Sequence, residues 1–212
     1  MDAVALLPSE TVQYNELSGA STLAEVMVAA DEQVARGDIS YLQTLSTGFS
    51  PLDDVLNGGL RPGELVILGG PSGVGKTVFA LQLARNIALF NRDAVVMYIC
   101  YEHDRWHIMM RLLCMESALL GHGDAALTFR RIHAMLNDAV GKRGLLAELQ
   151  THELYAEAVA RLRQYADRLT IVKASGTMTN LDQIRLRARR LASSRSPAFL
   201  VVDYLQKIPF ES

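Results

Sequence analysis

Cysteine is scarce in this sequence: Cys100 and Cys114 are the only two, and both sit in strongly apolar surroundings. That excludes a disulfide framework and reads as reduced core thiols of a cytosolic protein. Long apolar runs are missing too. No stretch reaches the roughly 18 uninterrupted apolar residues that a membrane span needs. The opening "MDAVALLPSETVQ" has no basic n-region, and its apolar run is too short for a signal peptide. The cytoplasm is therefore the expected location, with no membrane partner. Excess charge is absent as well: the net charge of −2 gives no global signal for nucleic acid and leaves only local patches to consider. There are no repeats and no low-complexity tract. What is present is a chain of 212 residues, half of them apolar, which suits one sizeable core with room for a small appendage.

Along the chain, residues 1 to about 20 are mixed in character and are expected to be poorly ordered. "STLAEVMVAADEQVARGD" follows. Thr22 with Glu25 makes a capping-box pattern, Gly37 supplies a stop, and Leu23, Val26, Met27, Ala30 and Val34 share one stripe. This is an amphipathic helix ahead of the main domain, packed either on its own domain or on a neighbouring subunit. "SPLDDVL" predicts a short helix with Ser50 as cap and Pro51 at its first position. Four apolar runs come next: "LVILGG", "AVVMYICYE", "LTIVKAS" and "AFLVVDYLQ". They show little polar alternation, as strands buried on both faces of a parallel sheet do. Helical patterns separate them, which implies an α/β layered fold. The long stretch from about Trp106 to Arg168 is mostly helical. The division is residues 1–38, a tail with a linker helix, and 39–212, the main domain.

The chemistry concentrates in Gly70-Pro71-Ser72-Gly73-Val74-Gly75-Lys76-Thr77, a full match to G-x-x-x-x-G-K-[ST] between a buried strand and an amphipathic helix. Glycines at 73 and 75 let the backbone curl so that successive N–H groups point inward. The helix beginning near Lys76 adds its positive dipole end. Lys76 then reaches the β- and γ-phosphates of a nucleotide, and the Thr77 hydroxyl is one ligand of Mg²⁺.

Two carboxylates complete the set. Asp203 ends the run "FLVVD", at the sheet edge where open α/β folds bind ligands, and is expected to hold Mg²⁺. Glu102 closes "VVMYICYE" and either polarises the attacking water or caps the following helix. Gln206, three residues after Asp203, is a candidate sensor of the nucleotide. "EHDRWH" brings His103 and His107 near Glu102 and Asp104, but zinc needs three or four converging ligands and no partner set is evident, so these read as ordinary helix-start histidines. Trp106 is read as an interface or core residue, with base stacking as the alternative. Arg185, Arg187, Arg189, Arg190 and Arg195 form either a solvated or subunit-facing surface or a DNA contact.

With these residues in hand, the chain resembles the RecA-like motor domain of DnaB-type replicative DNA helicases, from about Ile39 to Pro209. The resemblance rests on "STGFSPLDDVLNGGLRPGELVIL", on the Walker A loop "GPSGVGKT", on "YICYEHDRWHIMMRLL" and on "IRLRARRLASSRSPAFLVVDYLQ" leading into Walker B. It implies a RecA-like P-loop fold with a mostly parallel sheet flanked by helices. It implies Mg-ATP held by Lys76, Thr77 and Asp203, with Glu102 as catalytic base. It implies a ring of copies around single-stranded DNA, with ATP between subunits. A nucleotide-dependent oligomeric scaffold or regulator, similar to RecA or KaiC and without unwinding, is the other reading. In RecA-like folds the strand after Walker B inserts between the Walker A and Walker B strands, and the DNA loops and arginine finger come later. The sequence stops nine residues after Asp203. A missing central strand would leave two rows of buried backbone groups unpaired, at about 1–3 kcal/mol each. The expectation is therefore a fragment of a longer protein, its domain incomplete after Walker B and weakly active alone; the alternative is that something else fills the slot.

Overall fold

The structure, a computed structural model, describes residues 2–7, 21–39, 43–139, 141, 144–192 and 196–209, with the side chains of 2–7, 138 and 139 excepted. The four apolar runs become strands β2 (Leu65–Leu68), β3 (Val95–Cys100), β4 (Leu169–Lys173) and β5 (Ala198–Asp203). Strands β5, β3 and β4 run parallel, with Val96 opposite both Phe199 and Leu169.

A fifth strand, β1 (Asp2–Leu7), comes from the stretch expected to lack order, and this corrects that expectation for these six residues. Its backbone lies antiparallel between β2 and β5, with Val4 opposite both Val66 and Val201, so the sheet order is β2-β1-β5-β3-β4. The place where a missing strand would have left unpaired N–H and C=O groups is thus bonded on both sides. Four of the five strands still point the same way. The rest of residues 1–20 lies outside the described residues, apart from the strand.

The sheet is covered on both faces. On one, Val96, Tyr98 and Phe199 meet Leu81 and Ile87 of α3 (Lys76–Phe90) and Ile108 of α4 (Arg105–Leu119). On the other, Ile99, Leu200 and Val202 meet Ile184 and Ala188 of α8 (Leu181–Ala192). Successive strand residues point to opposite faces, so two covered faces demand an apolar residue at every position. All six residues of β5 are buried. At the described edge β2 departs from the expectation: Leu65 and Ile67 are 66% and 51% exposed, with no helix among the described residues covering that face.

The long helical stretch is α4 followed by α5 (Phe129–Ala139), α6 (Leu145–Gln150) and α7 (Glu153–Tyr165). Leu113, Ile132, Leu149 and Val159 form its own small core. A buried polar network ties it to α3: Arg85 Nε and Nη2 donate to the two Glu116 oxygens at 2.7 and 2.6 Å, and the Tyr165 hydroxyl donates to Glu116 Oε1 at 2.8 Å. Burial, then the neighbouring Glu116 charge, pushes the Tyr165 hydroxyl far above its ordinary pKa.

Two helices precede β2. Helix α1 (Leu23–Ala35) carries the expected capping box and buries no residue: Leu23, Val26, Met27 and Val34 are all exposed. Helix α2 (Ser50–Val55) starts one residue earlier than expected, with Phe49 as cap and Pro51 at its second position. In place of a serine cap, Asp53 reaches back, accepting from Thr47 N and Oγ1 at 2.8 and 2.7 Å and from Ser46 Oγ at 2.7 Å. Burial opposes its ionisation, but these bonds outweigh it and hold the carboxyl below its ordinary pKa.

Candidate functional site: a phosphate loop at the strand ends

Because β2, β3 and β5 point the same way, the residues that follow them converge at one edge of the sheet. After β2 the chain makes the loop 69–75. Gly73 and Gly75 take φ of +78° and +103°, a conformation L side chains rarely adopt, and Gly75 is the N-cap of α3. The first N–H groups of α3 are left for a ligand, as at other anion-binding helix ends. Lys76 folds back over the loop, its Nζ donating to the Gly70 and Pro71 carbonyls at 3.1 and 3.0 Å. The loop walls a cavity of about 660 Å³ with Gly70, Ser72, Gly73, Gly75 and Lys76, within the size range of small-molecule sites. Val74 is 62% exposed, its Cγ1 3.0 Å from where a Cβ on Gly70 would stand.

Thr77, in the first turn of α3, also faces the cavity. Its Oγ1 donates to Asp203 Oδ1 at 3.1 Å. Asp203 is buried, and its second oxygen accepts from the Tyr98 hydroxyl at 2.6 Å. The Cys100 thiol lies 4.0 Å from that oxygen, and burial raises its pKa, as expected of an inert core cysteine. Cys114 is half-buried. A hydroxyl and a carboxylate oxygen in contact are the hard oxygen donors that Mg²⁺ selects, so this pair fits that ion.

Glu102 is not inside β3, which ends at Cys100; it lies in the bend beyond, exposed, on the cavity wall. The capping alternative goes to its neighbour. Asp104 is the N-cap of α4, accepting from His107 N at 2.8 Å, which leaves the Glu102 carboxylate to the cavity. Gln206, in a single 3-10 turn after Asp203 (Leu205–Lys207), lines the cavity beside Tyr204.

Some site features went unread in the sequence. His103 and Arg111 join the cavity wall. The His103 and His107 rings stack with centroids 4.1 Å apart, and Arg111 Nε donates to His107 Nε2 at 2.8 Å. Burial, then the charges of His103 and Arg111, lowers the His107 pKa. The i, i+4 spacing of 103, 107 and 111 was the available signal. For Tyr98 the signal was a hydroxyl in an apolar strand, since a buried tyrosine needs a partner. Among the described residues no three His, Cys, Asp or Glu side chains could hold a metal together. Trp106 is 62% exposed and stands off the cavity wall. Arg185, Arg187, Arg189 and Arg190 are exposed on α8, away from the cavity; Arg195 lies outside the described residues. No helix among the described residues is long and apolar enough to cross a membrane.

Known proteins share this chain's sequence pattern and fold. The family model described as "DnaB-like helicase C terminal domain" matches residues 44–212. The DNA repair protein RadA of Campylobacter jejuni is 25% identical over 190 residues, covering 87% of this chain and 39% of that protein. The replicative DNA helicase DnaC of Bacillus subtilis is 24% identical over 205 residues, covering 94% and 39%. The replicative DNA helicase DnaB of Leifsonia xyli is 28% identical over 182 residues, covering 85% and 35%. Among solved structures, one described as an ATPase domain superposes with a TM-score of 0.58 at 18% identity, over 91% of this chain and 60% of that one. The chain thus spans well under half the length of the three named relatives.

Proposed function

The chain belongs to the DnaB-like helicase C-terminal domain family, and from that premise we propose that it is an ATP-binding and ATP-hydrolysing motor domain working on single-stranded DNA. The observation that carries this reading is the convergence at one cavity of Lys76, Thr77, Glu102 and Gln206, with the Asp203 carboxylate bonded to Thr77 Oγ1. The division into a leading segment (1–38) and an ATPase domain (39–212) is part of the proposal, with β1 as the leading segment's contribution to the sheet.

In this reading the loop amides from Gly70 to Thr77 and the start of α3 bind the phosphates. Lys76 exchanges its two loop carbonyls for phosphate oxygens, its Nζ already lying over the loop where they would bind. Thr77 and Asp203 hold Mg²⁺, which when bound neutralises charge on the β- and γ-phosphates. Tyr98 keeps the Asp203 carboxylate in one orientation by occupying its inner oxygen. Glu102, exposed to the cavity and free of a capping role, accepts a hydrogen bond from the attacking water and orients it. Gln206, also on the cavity wall, reads the state of the nucleotide.

The wider assembly belongs to the same proposal. Helix α1 buries nothing in its own domain and presents Leu23, Val26, Met27 and Val34, which supports a homo-oligomeric ring in which it lies on the neighbouring copy. A cytoplasmic location suits relatives named for DNA replication and repair. The test of the nucleotide site is Lys76→Ala in the full chain, followed by calorimetric titration with Mg-ATP. Affinity is expected to vanish with little change in melting temperature, because both bonds that Lys76 makes are exposed. Retained affinity would refute the loop assignment. DNA work is tested separately, by binding of single-stranded DNA across a salt series; a steep loss with salt is expected, and no binding leaves the oligomeric scaffold as the better reading.

A further inference from the structure

Arg111 stands one turn after His107 on α4, and His107 one turn after His103, so the three side chains share a line that runs down to the nucleotide cavity. The His107 ring is fixed from both sides. His103 stacks on it at 4.1 Å with the planes 10° apart, and Phe129 of α5 packs against it at 4.8 Å. Its backbone N–H is held by Asp104. A ring so clamped presents Nε2 in one direction, and that nitrogen accepts the Arg111 Nε–H at 2.8 Å.

What Arg111 lacks matters as much. A guanidinium carries five donors in a rigid fork and is charged at any working pH. The buried Arg85 meets the Glu116 carboxylate, and the half-buried Arg168 meets the Ala88 and Gln164 carbonyls. Among the described residues Arg111 has no such partner, although it lines the same cavity as Lys76, Thr77 and Glu102. Using Nε on His107 leaves the two Nη groups, which are the ends of the fork that bind phosphate side-on. A neutral acceptor spends none of the charge.

We propose that Arg111 is a phosphate-binding cation of the nucleotide cavity, directed at the terminal phosphate of a nucleoside triphosphate, and that His107 is the positioning residue that aims it. The proposal rests on the nucleotide reading of the cavity given above. It makes the chain's own α4 a source of selectivity for triphosphate over diphosphate, separate from the phosphate loop.

The test uses the full 212-residue chain, with Mg²⁺ and either a non-hydrolysable ATP analogue or ADP, by calorimetry. Arg111→Ala is expected to weaken the triphosphate about ten-fold or more and the diphosphate less than about three-fold, the size of one charge-assisted contact. His107→Ala is expected to reproduce much of that loss of selectivity. His107→Gln, which offers an amide oxygen as acceptor, is expected to restore it, and a purely structural histidine would not give that rescue. Melting temperatures report whether each variant folds, and the His107 pair keeps the test decisive if Arg111→Ala does not. An unchanged ratio of the two affinities in Arg111→Ala, or a His107→Gln indistinguishable from His107→Ala, overturns the assignment while leaving the nucleotide site standing. A wild-type chain that binds neither nucleotide overturns both.

Discussion

Replacing Glu116 by Gln removes one charge from a pair that water does not reach. The Arg85 and Glu116 side chains are 5% and 0% exposed, so neither solvent nor salt screens the loss. In the native pair both carboxylate oxygens accept from the Arg85 fork, and Oε1 also accepts from Tyr165. A Gln at 116 can keep its carbonyl toward Arg85 Nε and Tyr165, but its NH₂ then faces Arg85 Nη2, donor against donor. Arg85 is left charged, buried and half-satisfied. Breaking such a pair from one side costs about 3–5 kcal/mol, a large part of the roughly 5–15 kcal/mol that holds a domain together. Urea unfolding followed by far-UV circular dichroism measures it; Trp106 fluorescence reports little on the core, because that ring is already exposed. A triple variant with Arg85→Met, Glu116→Leu and Tyr165→Phe removes every charge and the orphaned hydroxyl together, and is expected to recover most of the loss. The reasoning fails if Glu116→Gln costs less than about 1 kcal/mol, or if the triple variant is no more stable than the single one.

Three further outcomes are expected. Tyr98→Phe leaves the inner oxygen of buried Asp203 without its donor; unfolding should show a loss of about 1–3 kcal/mol, and more Mg²⁺ should be needed for half-maximal ATP binding. Thr22→Ala removes the two bonds of the Thr22 hydroxyl to Glu25 and keeps only the one that the Thr22 backbone N–H donates; helicity at 222 nm should fall while the cooperative unfolding midpoint holds, because α1 buries nothing. The His107 pKa is lowered by burial and by His103 and Arg111, against the weaker pull of Asp104, so the folded chain binds fewer protons there than the unfolded chain. Stability should therefore fall as pH drops below the ordinary histidine value of about 6.5, with the loss complete below the folded pKa. Melting temperatures from pH 7.5 to 5.5 for the wild type and His107→Gln check this, the variant showing the smaller drop.

How much could be read beforehand follows from which interactions are local. Strands β2 to β5 were legible because each is a short apolar run closed by turn formers, and the phosphate loop because its glycines, Lys76 and Thr77 sit within eight residues. Asp203 and Glu102 were legible as acids after apolar runs, since parallel strands deliver such ends to one edge. By contrast, "DAVALL" has one β-branched residue in six, so its own composition hardly marks it as a strand. Its pairing is dictated by β2 and β5, which are far along the chain. Arg85, Glu116 and Tyr165 each look like ordinary helix residues and become a network only when α3, α4 and α7 pack. Leu65 and Ile67 read as buried because composition does not reveal which strand lacks a covering helix.

The antiparallel strand β1 also sets an order of events in synthesis. Val4 pairs with Val201, and 201 − 4 places them 197 residues apart. At roughly 5–20 residues per second, β1 waits about 10–40 s after leaving the ribosome before its β5 partner exists. Throughout that interval the β2–β5 slot cannot close, and the strand that fits it is a free peptide on a long tether. A β1 from another copy fits the same slot in the same register, so crowded nascent chains can exchange this strand and emerge linked through the middle of their sheets.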